Sequence, residues 1–77
     1  MEVLKRLEIV FRDFFDDDSL TINENTVASD IDGWDSLEHI TLMAVIEQEF
    51  KIKFDVSKHF QNVGEMAKEI TRLSQGR

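Results

Sequence analysis

Ser36 stands within Gly33-Trp34-Asp35-Ser36-Leu37-Glu38-His39-Ile40, and its hydroxyl is the group in this sequence best placed for chemical modification. A serine at the start of a helix usually caps it, spending its oxygen on a backbone N–H. Here Asp35, followed three residues later by Glu38, forms an acidic variant of the capping box, which makes Asp35 the N-cap. Ser36 then falls at the first helical position, with a free hydroxyl near the positive end of the helix dipole. A serine nucleophile of an enzyme would need more than this. Ser36, His39 and an aspartate could be drawn as a triad, but Ser36 and His39 are neighbours on one helix. No Gly-x-Ser-x-Gly elbow and no oxyanion hole accompany them. His39 and His59 read as surface or half-buried polar positions. The sequence predicts no catalysis of its own.

Metal binding fares no better. Asp30, Asp32, Gly33 and Asp35 suggest an EF-hand loop, but the glycine comes too early and His39 stands where the closing glutamate belongs. The chain has no cysteine, which removes thiolate zinc sites and disulfides together. The expectation is no dedicated metal site. Asp16-Asp17-Asp18 reads as a solvated helix end.

The elements that must position Ser36 follow from periodicity. Over residues 2–15, Leu4, Leu7, Phe11, Phe14 and Phe15 share one helical stripe, which ends at the three aspartates because carboxylates at a C-terminus oppose the dipole. Residues 17–35 keep no period, yet Leu20, Ile22, Val27 and Ile31 are spaced to pin them across the helices as an ordered crossover. A second helix spans residues 36–50. Leu42, Met43, Ile46 and Phe50 form one apolar stripe, and Leu37, Ile40 and Ala44 form another that a small bundle does not need. The second stripe is either extra core or an exposed face; Leu37, in the first turn, favours exposure. Lys51-Ile52-Lys53-Phe54-Asp55 breaks the helix, and a short helical turn is expected over residues 56–61 with Phe60 as its anchor. Asn62, with Glu65 three residues on, starts a final helix whose buried stripe is Val63, Met66, Ala67, Ile70 and Leu73. The fold class is therefore all-α, a small four-helix bundle of three main helices plus one short one, with a long loop between the first two. Trp34 either anchors the loop end against this bundle or borders a ligand on Ser36; the anchor reading is preferred.

Seventy-seven residues suit a single domain over 1–77, too small for a deep interlobe cleft. Sixteen acidic against nine basic residues give a net charge of −7, which repels nucleic acid and anionic membranes and attracts basic protein surfaces. No apolar run approaches the roughly 20 residues of a membrane span. A soluble, unprocessed cytoplasmic protein is expected.

The Asp35-Ser36-Leu37 start of the second helix, its Ile46-Glu47-Gln48-Glu49-Phe50 end and the helix layout around them resemble the acyl carrier proteins over essentially the whole chain. The resemblance implies that Ser36 is an attachment point. A phosphopantetheinyl transferase (holo-ACP synthase) would move 4'-phosphopantetheine from coenzyme A onto its hydroxyl, and the arm's thiol would carry acyl groups as thioesters. It implies that Asp35, Leu37, Glu38, Ile40, Thr41, Ala44 and Glu47 meet partner enzymes that load and process acyl groups and present basic docking patches. It also implies a monomer. Thr41, where general fatty-acid carriers are often acidic, the small Ala44, the lysines 51 and 53, the missing proline near Phe54, and Trp34 itself look more like carriers of polyketide, lipopeptide or other specialised pathways. A peptidyl or aminoacyl carrier, including a D-alanyl carrier, has the same layout, although such carriers are often less acidic. A docking module that carries no group is the reading from a different class.

Overall fold

The computed structural model describes residues 2–55 and 59–75. Three α-helices, α1 (Glu2–Phe14), α2 (Ser36–Phe50) and α3 (Val63–Gln75), and one 3-10 turn (Ala28–Asp30) make an all-α fold with no strand among the described residues. Helix α1 packs against both α2 and α3. Its inward residues Leu7, Val10 and Phe11 are buried, with Leu4, Phe14 and Phe15 half-buried beside them. The helix stops where the three aspartates begin, and a backbone motif ends it. Asp16 takes a left-handed conformation (φ 53°), and the N–H groups of Asp16 and Asp17 turn back to the carbonyls of Asp13 (3.4 Å) and Arg12 (3.0 Å). That is a Schellman closure with aspartate in the place glycine usually holds.

The crossover from residue 15 to 35 is ordered, because both ends of the bundle hold it. Arg12 Nε donates to the Leu20 carbonyl at 2.6 Å, and Glu8, paired with Arg12 at 3.2 Å, accepts the Ile22 N–H at 3.1 Å. Farther along, Val63 N–H donates to the Thr26 carbonyl (2.8 Å) and Gly64 N–H to the Glu24 carbonyl (2.9 Å). The first N–H groups of a helix have no partner within it, so the loop satisfies donors that α3 leaves open. This approach is close enough to need a glycine: a Cβ on Gly64 would lie 2.7 Å from the Glu24 oxygen. Ile22 and Ile31 enter the core, and Leu20 packs against it. The 3-10 turn within the crossover, where Asp30 accepts the Val27 N–H at 3.0 Å, has no counterpart in the apolar spacing.

Helix α2 divides as its two stripes require. Leu42, Ile46 and Phe50 are buried and Met43 is half-buried, while Leu37 and Ile40 remain 72% and 69% exposed and Ala44 is exposed with them. The helix ends at Lys51, in a left-handed conformation (φ 56°), with Ile52 N–H returning to the Glu47 carbonyl at 3.0 Å. Phe54 then turns inward and meets the Phe60 ring edge-on at 5.4 Å. Of the short helical turn expected over residues 56–61, residues 56–58 lie outside the described residues, and 59–61 are not helical.

Helix α3 starts at Asn62, whose Oδ1 accepts the Glu65 N–H at 2.9 Å. The Glu65 carboxylate in turn accepts the Gln61 N–H, one residue before the cap. Val63, Met66, Ala67 and Ile70 face the core. Glu69 is buried on the same helix and takes a two-pronged bond from Arg72 at 2.6 and 3.0 Å. Its carboxylate holds the Arg72 guanidinium above its ordinary pKa.

Candidate functional site

Gly33, with φ at +90°, turns the end of the crossover so that Trp34 points into the bundle. The indole lies edge-on to Phe11, with ring centres 5.2 Å apart, and tilted against Phe15 at 6.3 Å. The anchoring role expected of Trp34 is thus present. The backbone then enters α2 through Asp35, extended at the N-cap, whose Oδ1 accepts the Glu38 N–H at 2.9 Å. Among the described residues the Glu38 carboxylate does not close the second half of the box, so it stays exposed. With Asp35 serving as the cap, Ser36 is exposed and its hydroxyl has no hydrogen-bond partner among the described residues.

Two clefts meet beside this serine. One, of about 570 Å³, is bordered by Ala28, Trp34, Asp35, Ser36, His39, Ile40 and His59. The other, of about 460 Å³, continues along α2 past Met43, Ala44 and Glu47 to Phe54, Asp55 and Phe60, and shares His39, Ile40 and His59 with the first. Together they form a largely apolar trough that starts at Ser36 and runs along α2. Trp34, besides anchoring the loop end, also borders the cleft beside Ser36.

His39 is half-buried, one of the two positions expected of it, and is held by a specific partner. Its Nδ1 accepts a hydrogen bond from Trp34 Nε1 at 3.0 Å, and the two rings lie within 16° of parallel. Burial, reinforced by the positive field of His59, depresses its pKa below the usual 6.5. A neutral imidazole that accepts at Nδ1 carries its proton on Nε2. The available signal was spacing: position 39 is one turn after Ser36, and helical side chains lean back toward the N-terminus. His59 comes from a distant segment, and nothing in the sequence tied it to the serine.

The expected partner-facing residues occupy one side of α2, although not all are free. Asp35 is spent on the cap. Thr41 is exposed, with its hydroxyl 3.5 Å from the Leu37 carbonyl. Glu47 is half-buried, and its carboxylate accepts the Phe54 N–H at 2.7 Å, so it also fixes the chain after α2. Glu38 is the unencumbered charge. Among the described residues, no three His, Asp or Glu side chains converge as metal ligands, and no helix is long and apolar enough to cross a membrane.

No protein-family model matches the chain. It is, however, 32% identical over 72 residues to the acyl carrier protein of Caulobacter vibrioides, a match covering 91% of this chain and 92% of that protein and found alike in two strains. The chain belongs to the acyl carrier protein family. Members of that family are carriers rather than enzymes. The fold agrees as well: the solution NMR structure of a holo acyl carrier protein from Geobacter metallireducens superposes with a TM-score of 0.90 at 38% identity, covering 99% of this chain and 90% of that one. Holo names a form bearing a prosthetic group, and the exposed hydroxyl and adjoining trough of this carrier fit such a group in room and in chemistry.

Proposed function

We propose that Ser36 bears a 4'-phosphopantetheine arm and that the protein carries acyl groups as thioesters on it. The exposed Ser36 hydroxyl, released from capping by Asp35, is the observation that carries this reading. In the loading step, Ser36 Oγ attacks the coenzyme A phosphorus that bears the pantetheine. The pyrophosphate bond breaks, adenosine 3',5'-bisphosphate leaves, and the hydroxyl proton passes to a base of the transferase. The arm supplies a thiol that forms and exchanges thioesters, which explains how a chain without cysteine handles acyl groups. Asp35 holds the helix start rigid, so that Ser36 is presented at a fixed place.

Leu37, Ile40 and Ala44 offer an apolar patch, bordered by Asp35, Glu38 and Glu47 and by the polar Thr41, to enzymes with arginine and lysine around an apolar recess. Exposed rim charges chiefly raise association rates, which suits a carrier that visits several enzymes and leaves each quickly. The apolar lining of the far trough, Met43, Phe54 and Phe60, favours an acyl over an aminoacyl cargo. The carrier works as a soluble cytoplasmic monomer serving a fatty-acid, polyketide or other specialised pathway, and Trp34 and Thr41 favour the specialised kind.

Incubation with coenzyme A and a broad-specificity phosphopantetheinyl transferase is expected to add one phosphopantetheine to the wild type and none to Ser36→Ala. A folded wild type that several transferases leave unmodified would overturn the reading.

A further inference from the structure

We propose that Trp34, His39 and His59 form a binding site for the phosphodiester end of the Ser36-linked arm, holding that end against the trough. This rests on the reading of Ser36 as the attachment point. The first observation is the Trp34–His39 pair. The indole N–H occupies Nδ1 at 3.0 Å, which fixes both the ring orientation and the tautomer and leaves the Nε2–H without a partner among the described residues. The ring reaches back five residues to touch Trp34, so it lies over the first turn of α2 and borders the cleft that Ser36 also borders. A donor immobilised in this way loses little freedom when it binds an oxygen.

The second observation is His59, on another segment and bordering the same cleft. It is near enough for its positive charge to disfavour protonation of His39. Protonated together, two imidazoles within electrostatic reach of each other repel, and an anion beside them offsets that repulsion. The phosphodiester is that anion, and its phosphorus is one bond from Ser36 Oγ. Among the described residues, the carboxylate bordering this cleft is that of Asp35, whose Oδ1 accepts the Glu38 N–H. Glu38 is exposed on the next residues of α2, Asp30 is turned to the Val27 N–H, and Glu47 and Asp55 border only the far cleft. The His39 Nε2–H and the His59 imidazole thus supply the donors on the side of the serine facing the trough, with the Trp34 indole holding the His39 ring in place.

The test compares apo and holo protein, with loading checked by intact mass, using imidazole nitrogen NMR and the phosphorus resonance of the arm over a pH series. Loading is expected to raise the titration midpoints of both histidines and to move the Trp34 indole N–H resonance. The phosphorus resonance should titrate with His39 and His59. His39→Leu should abolish the His39-linked step in the phosphorus titration, and His39→Gln, which keeps a donor, should retain a fixed arm resonance without that step. Complete loading with unchanged histidine midpoints and a phosphorus resonance indifferent to His39→Leu would overturn this inference while leaving Ser36 as the attachment point. A wild type that gains no mass overturns the reading of Ser36 instead.

Discussion

Gly64→Ala sets two well-known effects against each other. Gly64 lies in the first turn of α3, where helix propensity alone favours alanine by about 1 kcal/mol. The docked loop opposes it. A Cβ at this position would sit 2.7 Å from the Glu24 oxygen, 3.1 Å from Glu24 Cβ and 3.2 Å from Asn62 Oδ1. The Glu24 backbone must therefore move away, and it carries the bond from Gly64 N–H, next to the bond between Val63 N–H and the Thr26 carbonyl. Losing two such bonds costs about 1–3 kcal/mol, and each group left buried without a partner adds about 1–3 kcal/mol more. Repulsion and lost bonds together exceed the propensity gain, and the expected result is a net destabilisation of about 1–3 kcal/mol. In a domain of this size that corresponds to a fall in Tm of roughly 5–20 °C. Urea and thermal unfolding followed by far-ultraviolet circular dichroism would measure it. Tryptophan emission should shift in the native state too, because the loosened crossover leads to Trp34. A Gly64→Ala protein as stable as the wild type, or more so, would refute the docking of the crossover on the start of α3.

The two faces of α2 give further tests. Leu42→Ala empties a fully buried site and should cost about 2–5 kcal/mol in urea unfolding, whereas Leu37→Ala should leave stability within about 0.5 kcal/mol and slow acyl transfer to a partner enzyme. Glu38→Lys should slow that transfer more at low salt than at high salt, since exposed charges are screened over roughly 8 Å at physiological ionic strength; equal slowing at both would contradict a rim role. Folded His39 binds its proton less readily than the unfolded chain does, so stability should be full above pH 6.5 and decline as pH falls below it toward the depressed folded value. His39→Gln should reduce that slope in unfolding measured across the same range.

The helices were legible because their apolar residues recur at the helical period and fall on one side. Leu7 and Phe11, Leu42 and Ile46, and Met66 and Ile70 all become core. The free hydroxyl of Ser36 at the first helical position was legible for a local reason, since Asp35 and Glu38 define the cap within four residues. The crossover was legible only as an ordered segment. Its 3-10 turn is held by local bonds around Asp30 that leave no apolar period, and its docking on Val63 and Gly64 depends on backbone bonds between residues nearly forty positions apart, which no side-chain pattern encodes. Glu47 read as a surface charge because the Phe54 N–H that it accepts comes from beyond the helix end. His39 and His59 read as unremarkable because a tautomer and a shared cleft exist only once Trp34 is in place.

The carrier function proposed for this protein depends above all on Ser36. The most direct measurement is mass spectrometry of the protein isolated from its own cells with thioesters preserved, with fragmentation to locate any added group. The expected result is a phosphopantetheine on the peptide containing Ser36, bearing an acyl thioester in part of the population. An unmodified Ser36 peptide throughout, or the arm on Ser19 or Ser29 instead, would contradict it.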